Sequence, residues 1–459
     1  MRGPIRRPSM SLSSTPSPRL FSLAWPLFIE LLLGIAVGMA GTLLAARVSD
    51  ASGAAFALAN HVSATLFILF RIVGAGVSVV VTQSLGGGRR DQADALARAA
   101  LGASSWIGLL GAAGALLGAG PLLRLLNAPA EVLPLAQPLL MALAPALLLD
   151  AWNASMASVM RAHLRSRDTL AVLVLMQLCQ LALAIPLMHL LGLPGFALAL
   201  VLSRSLALGL HMWLWRTRLA LRPQRSDWWR LPRRELATVL HIGLPGAAEN
   251  IAYRLAYMVS VGVAGALGAQ ALATHAYTSQ LMYFVLLPGL ATGFAAEIVV
   301  GHLIGAGRLH EAHRLVRRAL ARGLAISVVV ASLAALASPW LLARFSADAG
   351  IVAAGVTLMW LTVLLEPGRT FNLVVINALR AAGDARYPVM TGAGSMLLVL
   401  AGGSWLLGHV LGWGLVGIWV AYAADEWLRG LLMWRRWATQ GWVPHARGVH
   451  RRLRQRHSH

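Results

Sequence analysis

The chain has 459 residues, 58% of them hydrophobic and only 12% charged, and its net charge is +22. A soluble domain of this length carries about a quarter charged residues, so an ordinary soluble enzyme or binding module is excluded. All 39 basic residues are arginines. Most sit in short joints between apolar runs, whereas a nucleic-acid-binding module would gather them on a polar domain, so the charge reads as a membrane topology signal.

Residues 1–20 are rich in Ser, Pro and Arg and predict a disordered segment. The apolar run that follows is too long for a cleaved signal peptide, so it is expected to stay as the first span. Apolar runs of 20 or more residues then recur as far as Trp437. Each is long enough to cross about 30 Å of hydrocarbon as a helix. A spanning barrel would need period-two alternation, which is missing.

Twelve spans are predicted, over 21–46, 54–83, 95–119, 133–160, 169–191 and 194–216, then 236–264, 271–303, 312–337, 350–380, 385–407 and 412–437. One set of loops holds Arg89, Arg90 and Arg98, then Arg161, Arg165 and Arg167, Arg216 to Arg234, Arg308 to Arg322, Arg380 and Arg386. The other set holds little beyond Arg47, Arg124 and Arg344. This asymmetry predicts that both termini and the 217–235 connector are cytoplasmic. Trp228 and Trp229 beside Arg in that connector suit a segment at headgroup level. Cys179 is the only cysteine, which leaves no disulfide framework and no Cys-based metal site.

The two halves repeat. Sliding the chain by 219 positions (245 minus 26) brings Pro26 onto Pro245 and Glu30 onto Glu249 without a gap. The same shift matches Gly74 with Gly293, Gly86 with Gly305, Gly88 with Gly307, Arg89 with Arg308, Arg98 with Arg317, Asn153 with Asn372 and Arg161 with Arg380. Six spans per half is an even number, so equivalent helices run in the same direction. The fold class expected is therefore all-α integral membrane, with twelve transmembrane helices in two parallel six-helix repeats and a cavity between the halves. The expected organisation is a disordered cytoplasmic N-terminus over 1–20, lobes over 21–216 and 236–437, a cytoplasmic connector over 217–235 and a basic cytoplasmic tail over 438–459.

These features resemble the multidrug and toxic compound extrusion (MATE) family. They are two six-span halves, Pro with Glu four residues on in the first helix of each half, GGGRR and GAGR after the second helices, and LLEPGRTFNLVVINALRAAGDARYP. The resemblance covers nearly everything from Leu20 to Trp437. It implies a twelve-helix antiporter that uses inward H⁺ or Na⁺ flow to expel bulky, often cationic and aromatic compounds, and one chain as the working unit. The chain departs from the pattern at two places. Gly41 stands where many members carry a first-helix aspartate. Tyr253 stands where the sodium-coupled branch carries a glutamate, and the acid here is Glu249, one turn earlier.

Charged side chains at mid-bilayer cost at least about 2.5–3.5 kcal/mol each and mark functional candidates. Glu249 lies about 21 Å along its helix from Glu235, with Tyr253 one turn on, on the same face. It is either a proton- or ion-coupling acid or a structural acid between helices. Glu366 is at similar depth, beside Pro367, which should loosen its helix. Arg369, one turn on, can pair with it, as a partner exchanged during transport or in a fixed ion pair. Arg254 is badly angled for Glu249 and is expected to reach Glu366 or Glu297 on another helix. In the first half the acids are Glu30, with Arg71 as a plausible partner, and Asp150, with Asn153 one turn away. Asp150 falls opposite Arg369 across the repeat, so the halves differ in charge.

Asp425, Glu426 and Arg429 read as a local network on the last helix. The Gly-rich stretches follow no strand and read as tight turns rather than phosphate cradles. His302, which replaces Gln83 across the repeat, and the isolated His61 and His275 read as structural histidines. The tail HARGVHRRLRQRHSH reads as a solvated or lipid-binding basic segment.

The residues thus point to a cation-coupled efflux antiporter of small molecules in a bacterial inner membrane. Lipids are its surroundings, no nucleic acid is a partner, and no cofactor is implied beyond the coupling H⁺ or Na⁺. A lipid-linked oligosaccharide or polysaccharide flippase would favour a cavity rich in basic groups. A polytopic membrane enzyme would need a convergent catalytic set, which is not found at recognisable spacing.

Overall fold

The structure, a computed structural model, describes residues 20–46, 49–125 and 129–455. The expectation for the N-terminal segment therefore falls, but for Leu20, outside the described residues, as do Arg47 and the last four residues of the tail. Among the described residues every regular element is helical. In a chain this apolar, that is how the backbone satisfies its own hydrogen bonds.

The first lobe holds α1 (Leu20–Ala46), α2 (Asp50–Gly86), α3 (Arg90–Leu117), α4 (Ala119–Leu125), α5 (Leu133–Ala142), α6 (Ala144–Ala162), α7 (Ser166–Leu191) and α8 (Leu193–Arg218). The second holds α9 (Arg233–Ala266), α10 (Ala269–Gly305), α11 (Leu309–Leu342), α12 (Ala349–Ala381), α13 (Arg386–Ser395), which runs on in wider π turns through Val410, and α14 (Gly414–Ala438). Helix α15 (Val443–Gln455) follows. The α5–α6 pair, bent by 44°, is one predicted span, and α4 is a short extra turn. Each of the twelve predicted spans falls on a helix. Eight helices, or ten with the two bent pairs, are long and apolar enough to cross a membrane by composition. The two that fall short, α9 and α14, carry Glu249 and Arg254 in one case and Asp425, Glu426 and Arg429 in the other. Charge within the span, not lack of length, lowers their hydropathy.

The lobes meet along α1, α2, α9 and α10. Small residues let the backbones touch at one end, the end that carries Arg89, Arg90 and Arg308. A Cβ at Gly86 would fall on the carbonyl oxygen of His302, and one at Gly305 on that of Gln83. Side chains then cross the seam in a matched pair. Gln83 Nε2 donates to the Ala381 carbonyl at 2.8 Å, and His302 Nε2 donates to the Ala162 carbonyl at 2.8 Å. Both partners in the second contact are the repeat equivalents of those in the first. Just beyond the seam, Gly88 and Gly307 take φ of +72° and +76°, the left-handed region that glycine enters at no steric cost. The Gly-rich stretches are thus turns.

One expectation is revised here. The basic tail is not simply solvated: 443–455 is a helix whose Ala446, Val449 and Leu453 are buried. It crosses the seam, with His450 Nδ1 donating to the Gly305 carbonyl at 2.9 Å and Leu453 lying against Gly87. The connector likewise packs on the first lobe. Trp106 Nε1 donates to the Trp229 carbonyl at 3.1 Å, and Trp228 meets Trp152 edge-on.

Candidate functional site

Away from the Arg-rich end the lobes part. On α9, Gly243, Asn250 and Arg254 lie on one stripe, at helical spacings of seven and four. Gly243 abuts the carbonyl of Ile72 on α2, yet Arg254, three turns on, is exposed. Helix α10 changes the same way: Gly301 abuts Thr82 of α2, whereas Tyr283, five turns back on the same stripe, is 54% exposed. A cleft therefore opens from the middle of the molecule toward the end opposite the arginines. Arg254 forms no ion pair among the described residues, so its expected link to Glu366 or Glu297 is not made.

The acids sit in two ion-paired groups, one per lobe. In the first lobe, Glu30 on α1 takes Arg161 Nη1 of α6 at 3.2 Å and the Thr169 hydroxyl of α7 at 2.6 Å. Arg161 replaces Arg71 as the partner expected for Glu30, and the Arg71 side chain is outside the described residues. Asp150 on α6 takes Arg204 Nε of α8 at 3.3 Å, and Arg204 also holds Gln180. Asn153 donates to the Arg204 carbonyl at 3.0 Å and accepts from His211 Nδ1 at 2.9 Å. All of these groups but Gln180 line a cavity of about 430 Å³. It lies within the first lobe, not solely between the halves as expected. Three buried polar atoms on its wall have no partner: Ser63 Oγ, Gln177 Oε1 and His211 Nε2. Because Asn153 Nδ2 donates to a carbonyl, its Oδ1 faces His211, so Nδ1 carries the hydrogen and Nε2 is left as an acceptor. The cavity thus offers unfilled acceptors to a ligand that brings donors.

In the second lobe, Glu249 on α9 pairs with Arg380 on α12, the exact repeat of Glu30 with Arg161. Deeper in the lobe lies a linear chain of charges. Glu366 pairs with Arg369 at 2.6 Å, Arg369 with Glu426 at 3.2 Å, Glu426 with Arg429 at 3.0 Å and Arg429 with Asp425 at 2.7 Å. Asn372 Nδ2 donates to Glu426 Oε2 at 3.0 Å, and the Ser395 hydroxyl donates to Asp425 at 2.6 Å. The cluster on the last helix is therefore not a local network: it joins Arg369 and Asn372 of α12. Tyr253 stacks on Tyr257, and its ring lies 5.9 Å from the Arg429 guanidinium. His275 is satisfied by the Tyr422 hydroxyl at 3.0 Å, as a structural histidine should be, while His61 is exposed.

The charge reversal between the halves extends to the partners. Asp150 pairs outward to an arginine on α8, and its equivalent Arg369 pairs to a glutamate on α14. The sequence reading missed Arg204, Thr169 and His211, and it listed Arg161 and Arg380 only as loop charges and repeat matches. The signal for those two was present, since an acid and a base that recur at one offset are candidates for a recurring pair.

Two duplicated lobes of six spans each, closed at one end, cleft at the other and carrying paired charges at their centres, define a membrane transporter. The chain belongs to the MatE family, whose sequence model matches it twice, over residues 26–187 and 245–405. The two matches begin 219 residues apart, at Pro26 and Pro245. The chain is 31% identical over 430 residues to an uncharacterized transporter, YisQ, of Bacillus subtilis, covering 92% of this chain and 94% of that protein. It is 27% identical over 430 residues to a probable multidrug resistance protein NorM of Aromatoleum aromaticum, covering 89% and 90%. A solved outward-facing conformation of a multidrug resistance MATE family transporter superposes with a TM-score of 0.83 at 18% identity, over 95% of this chain and 96% of that one. This is a multi-pass membrane protein of the MATE and NorM multidrug efflux transporter family.

Proposed function

We propose that the chain is a cation-coupled antiporter that exports bulky organic compounds, cations among them, in exchange for H⁺ or Na⁺. The observation that carries this reading is the first-lobe cavity with its unfilled acceptors at Ser63, Gln177 and His211. A protonated amine supplies the donors those atoms lack. The Arg-rich end is read as cytoplasmic, so both termini face the cytoplasm of a bacterial inner membrane and the cleft faces outward. One chain holds both lobes and is read as the working unit. The paired acids are read as the coupling groups, with Glu249 and Glu366 foremost. Each arginine on the cavity wall has an acid partner, which speaks against a flippase that grips a pyrophosphate headgroup.

Two experiments test this. Expression in a pump-deficient bacterial host should raise resistance to cationic dyes such as ethidium, and loaded inverted vesicles should move ethidium only under an ion gradient. Equal accumulation with and without the protein would refute the reading. For orientation, a periplasm-active reporter should work at Gly120, Leu193 or Gly350 and stay silent at Gln224 or His459. Activity at Gln224 would overturn the assignment.

A further inference from the structure

The Arg-rich end carries a group of bases that neither the seam nor the paired acids use. Helix α15 sorts its residues by face. Ala446, Val449 and Leu453 are buried, while Arg447 and Arg451 are exposed on the opposite side. His445 and Arg452, seven residues apart, share one edge between those faces, and both are exposed. That edge looks toward α9 and α13: the charges that act on His241 of α9 are Arg386 of α13, Arg452 and His445. Gly448 lies between His445 and Arg452 on the same edge, and a Cβ there would meet nothing within 4 Å. The bases thus surround open space.

No acid is free to balance them. Among the described residues Arg386, Arg452 and His241 form no ion pair. Asp384, at the rim of the group, is buried and taken by Arg436 Nε at 2.9 Å, with His445 Nε2 3.9 Å from its other oxygen. Like charges held together in this way repel one another, and a bound anion relieves the repulsion.

The surface next to the bases is apolar. Helices α9 and α13 pack side by side and both start from the Arg-rich end. Leu244, three residues on from His241, is 56% exposed, and Met390, four on from Arg386, is 77% exposed. Ile251 and Leu397, each seven residues further, are exposed as well. Each base therefore heads an exposed apolar stripe. With 34 residues, α9 is about 50 Å long, against about 30 Å of hydrocarbon. Its first turns therefore stand at headgroup level while its stripe runs on into the bilayer.

We propose that this pocket holds the phosphate of one anionic phospholipid, whose acyl chains lie along the α9 and α13 stripes. The guanidinium forks of Arg386 and Arg452 match phosphate oxygens, and the His241 imidazole has an N–H to donate in either charge state. A basic pocket between helices on the side that faces an anionic leaflet suits such a headgroup. The bases alone would serve a soluble anion; the paired stripes are what a lipid needs. The bound lipid joins α15 to α9 and α13. Since Leu453 of α15 also lies against Gly87 of the first lobe, the lipid strengthens the strap across the closed end.

The test uses the purified full-length protein in neutral detergent, with phosphatidylglycerol, phosphatidylcholine and inorganic phosphate as probes. Native mass spectrometry should retain one phosphatidylglycerol per chain in preference to phosphatidylcholine. Arg386→Gln with Arg452→Gln should cut that retention by roughly tenfold or more. Arg386→Lys with Arg452→Lys keeps both charges and should keep most of the lipid. Arg447→Gln with Arg451→Gln removes the same charge from the solvent face of α15 and should leave retention unchanged. Phosphatidylglycerol should raise the melting temperature of wild type and of this control, but not of Arg386→Gln with Arg452→Gln. The single change Arg386→Gln should show a smaller loss, and serves should that double variant misfold. Equal retention of the two lipids, or equal loss in the two glutamine pairs, overturns the proposal. So does inorganic phosphate that displaces the lipid and stabilises the protein as well as the lipid does, for then the pocket takes a free anion and the stripes play no part.

Discussion

Arg380 on α12 closes on Glu249 of α9 across 131 residues of sequence, and Arg161 on α6 closes on Glu30 of α1 across the same 131. Each pair ties the first helix of a lobe to its fourth span. Those first helices are also the ones that pack onto the opposite lobe, α1 on α10 and α9 on α2. The ion pairs therefore decide how firmly each crossing helix belongs to its own side.

Removing one partner should be worse than removing both. Arg380→Gln leaves the buried Glu249 carboxylate without its ion-pair partner, at a cost of about 3–5 kcal/mol. Adding Glu249→Gln to that variant should recover at least ~1 kcal/mol relative to the sum of the two single changes. Thermal unfolding in detergent measures the cycle. Strict additivity would show that the two side chains are not energetically linked.

Restoring the family's first-helix acid should not help. A Cβ at Gly41 would lie 2.8 Å from Phe56 Cζ and 3.2 Å from Phe196 Cζ. Those rings already pack edge to face at 4.7 Å. Gly41→Asp should lower stability by about 1–3 kcal/mol through overpacking alone, with the burial of a carboxylate added. Ethidium efflux should fall or stay level. A faster pump would mean that the first lobe can still accept that acid.

The seam at Gly86 and Gly305 has no room for a methyl group. Gly86→Ala and Gly305→Ala should each push the lobes apart at the Arg-rich end by about 1–3 kcal/mol. With Cys179→Ser and Thr82→Cys as background, an impermeant maleimide applied from that side should label Cys at position 82 several-fold faster in the alanine variants. Unchanged labelling would place the barrier elsewhere.

The turn after α6 carries Leu164 at φ +62°, and the matching turn after α12 carries Gly383 at φ +88°. A left-handed leucine costs roughly 1–2 kcal/mol, against about 0.5–1 kcal/mol of extra chain entropy lost by glycine. Leu164→Gly should therefore be neutral to stabilising by up to ~1 kcal/mol. Gly383→Leu should destabilise, since its Cβ would also meet Val449 of α15 at 3.1 Å. A lower melting temperature for Leu164→Gly would show that the leucine's packing outweighs its strain.

Much of this architecture was readable beforehand, because period and offset are one-dimensional signals. The span count, the parallel repeat and the Glu366–Arg369 pair, one helical turn apart, all follow from spacing. Contacts between distant helices do not. Glu30 was assigned Arg71 and not Arg161 because nothing in the sequence ranks one remote arginine over another, except the recurrence of both residues at one offset. Arg254 was given an acid partner because its exposure to a cleft depends on where α9 and α2 diverge. Trp442, Ala446, Val449 and Leu453 are spaced four, three and four apart, a helical stripe, but the arginines and histidines between them made the tail look solvated. The internal cavity could not be read at all, since helix tilt leaves no mark on composition.

The crossed contacts at the seam carry a record of origin. Gln83 meets Ala381, and His302 meets Ala162. With 219 subtracted from the second-lobe numbers, both contacts join position 83 to position 162. That reciprocity, in which i touches j and j touches i, is the signature of an isologous two-fold interface. An ancestor half this length, paired with its own copy, would have made this contact twice with identical residues. Fusion into one chain would have released the two copies from identity, and at this interface the equivalent positions now differ, glutamine at 83 and histidine at 302. The seam is thus a homodimer-like interface kept inside one chain.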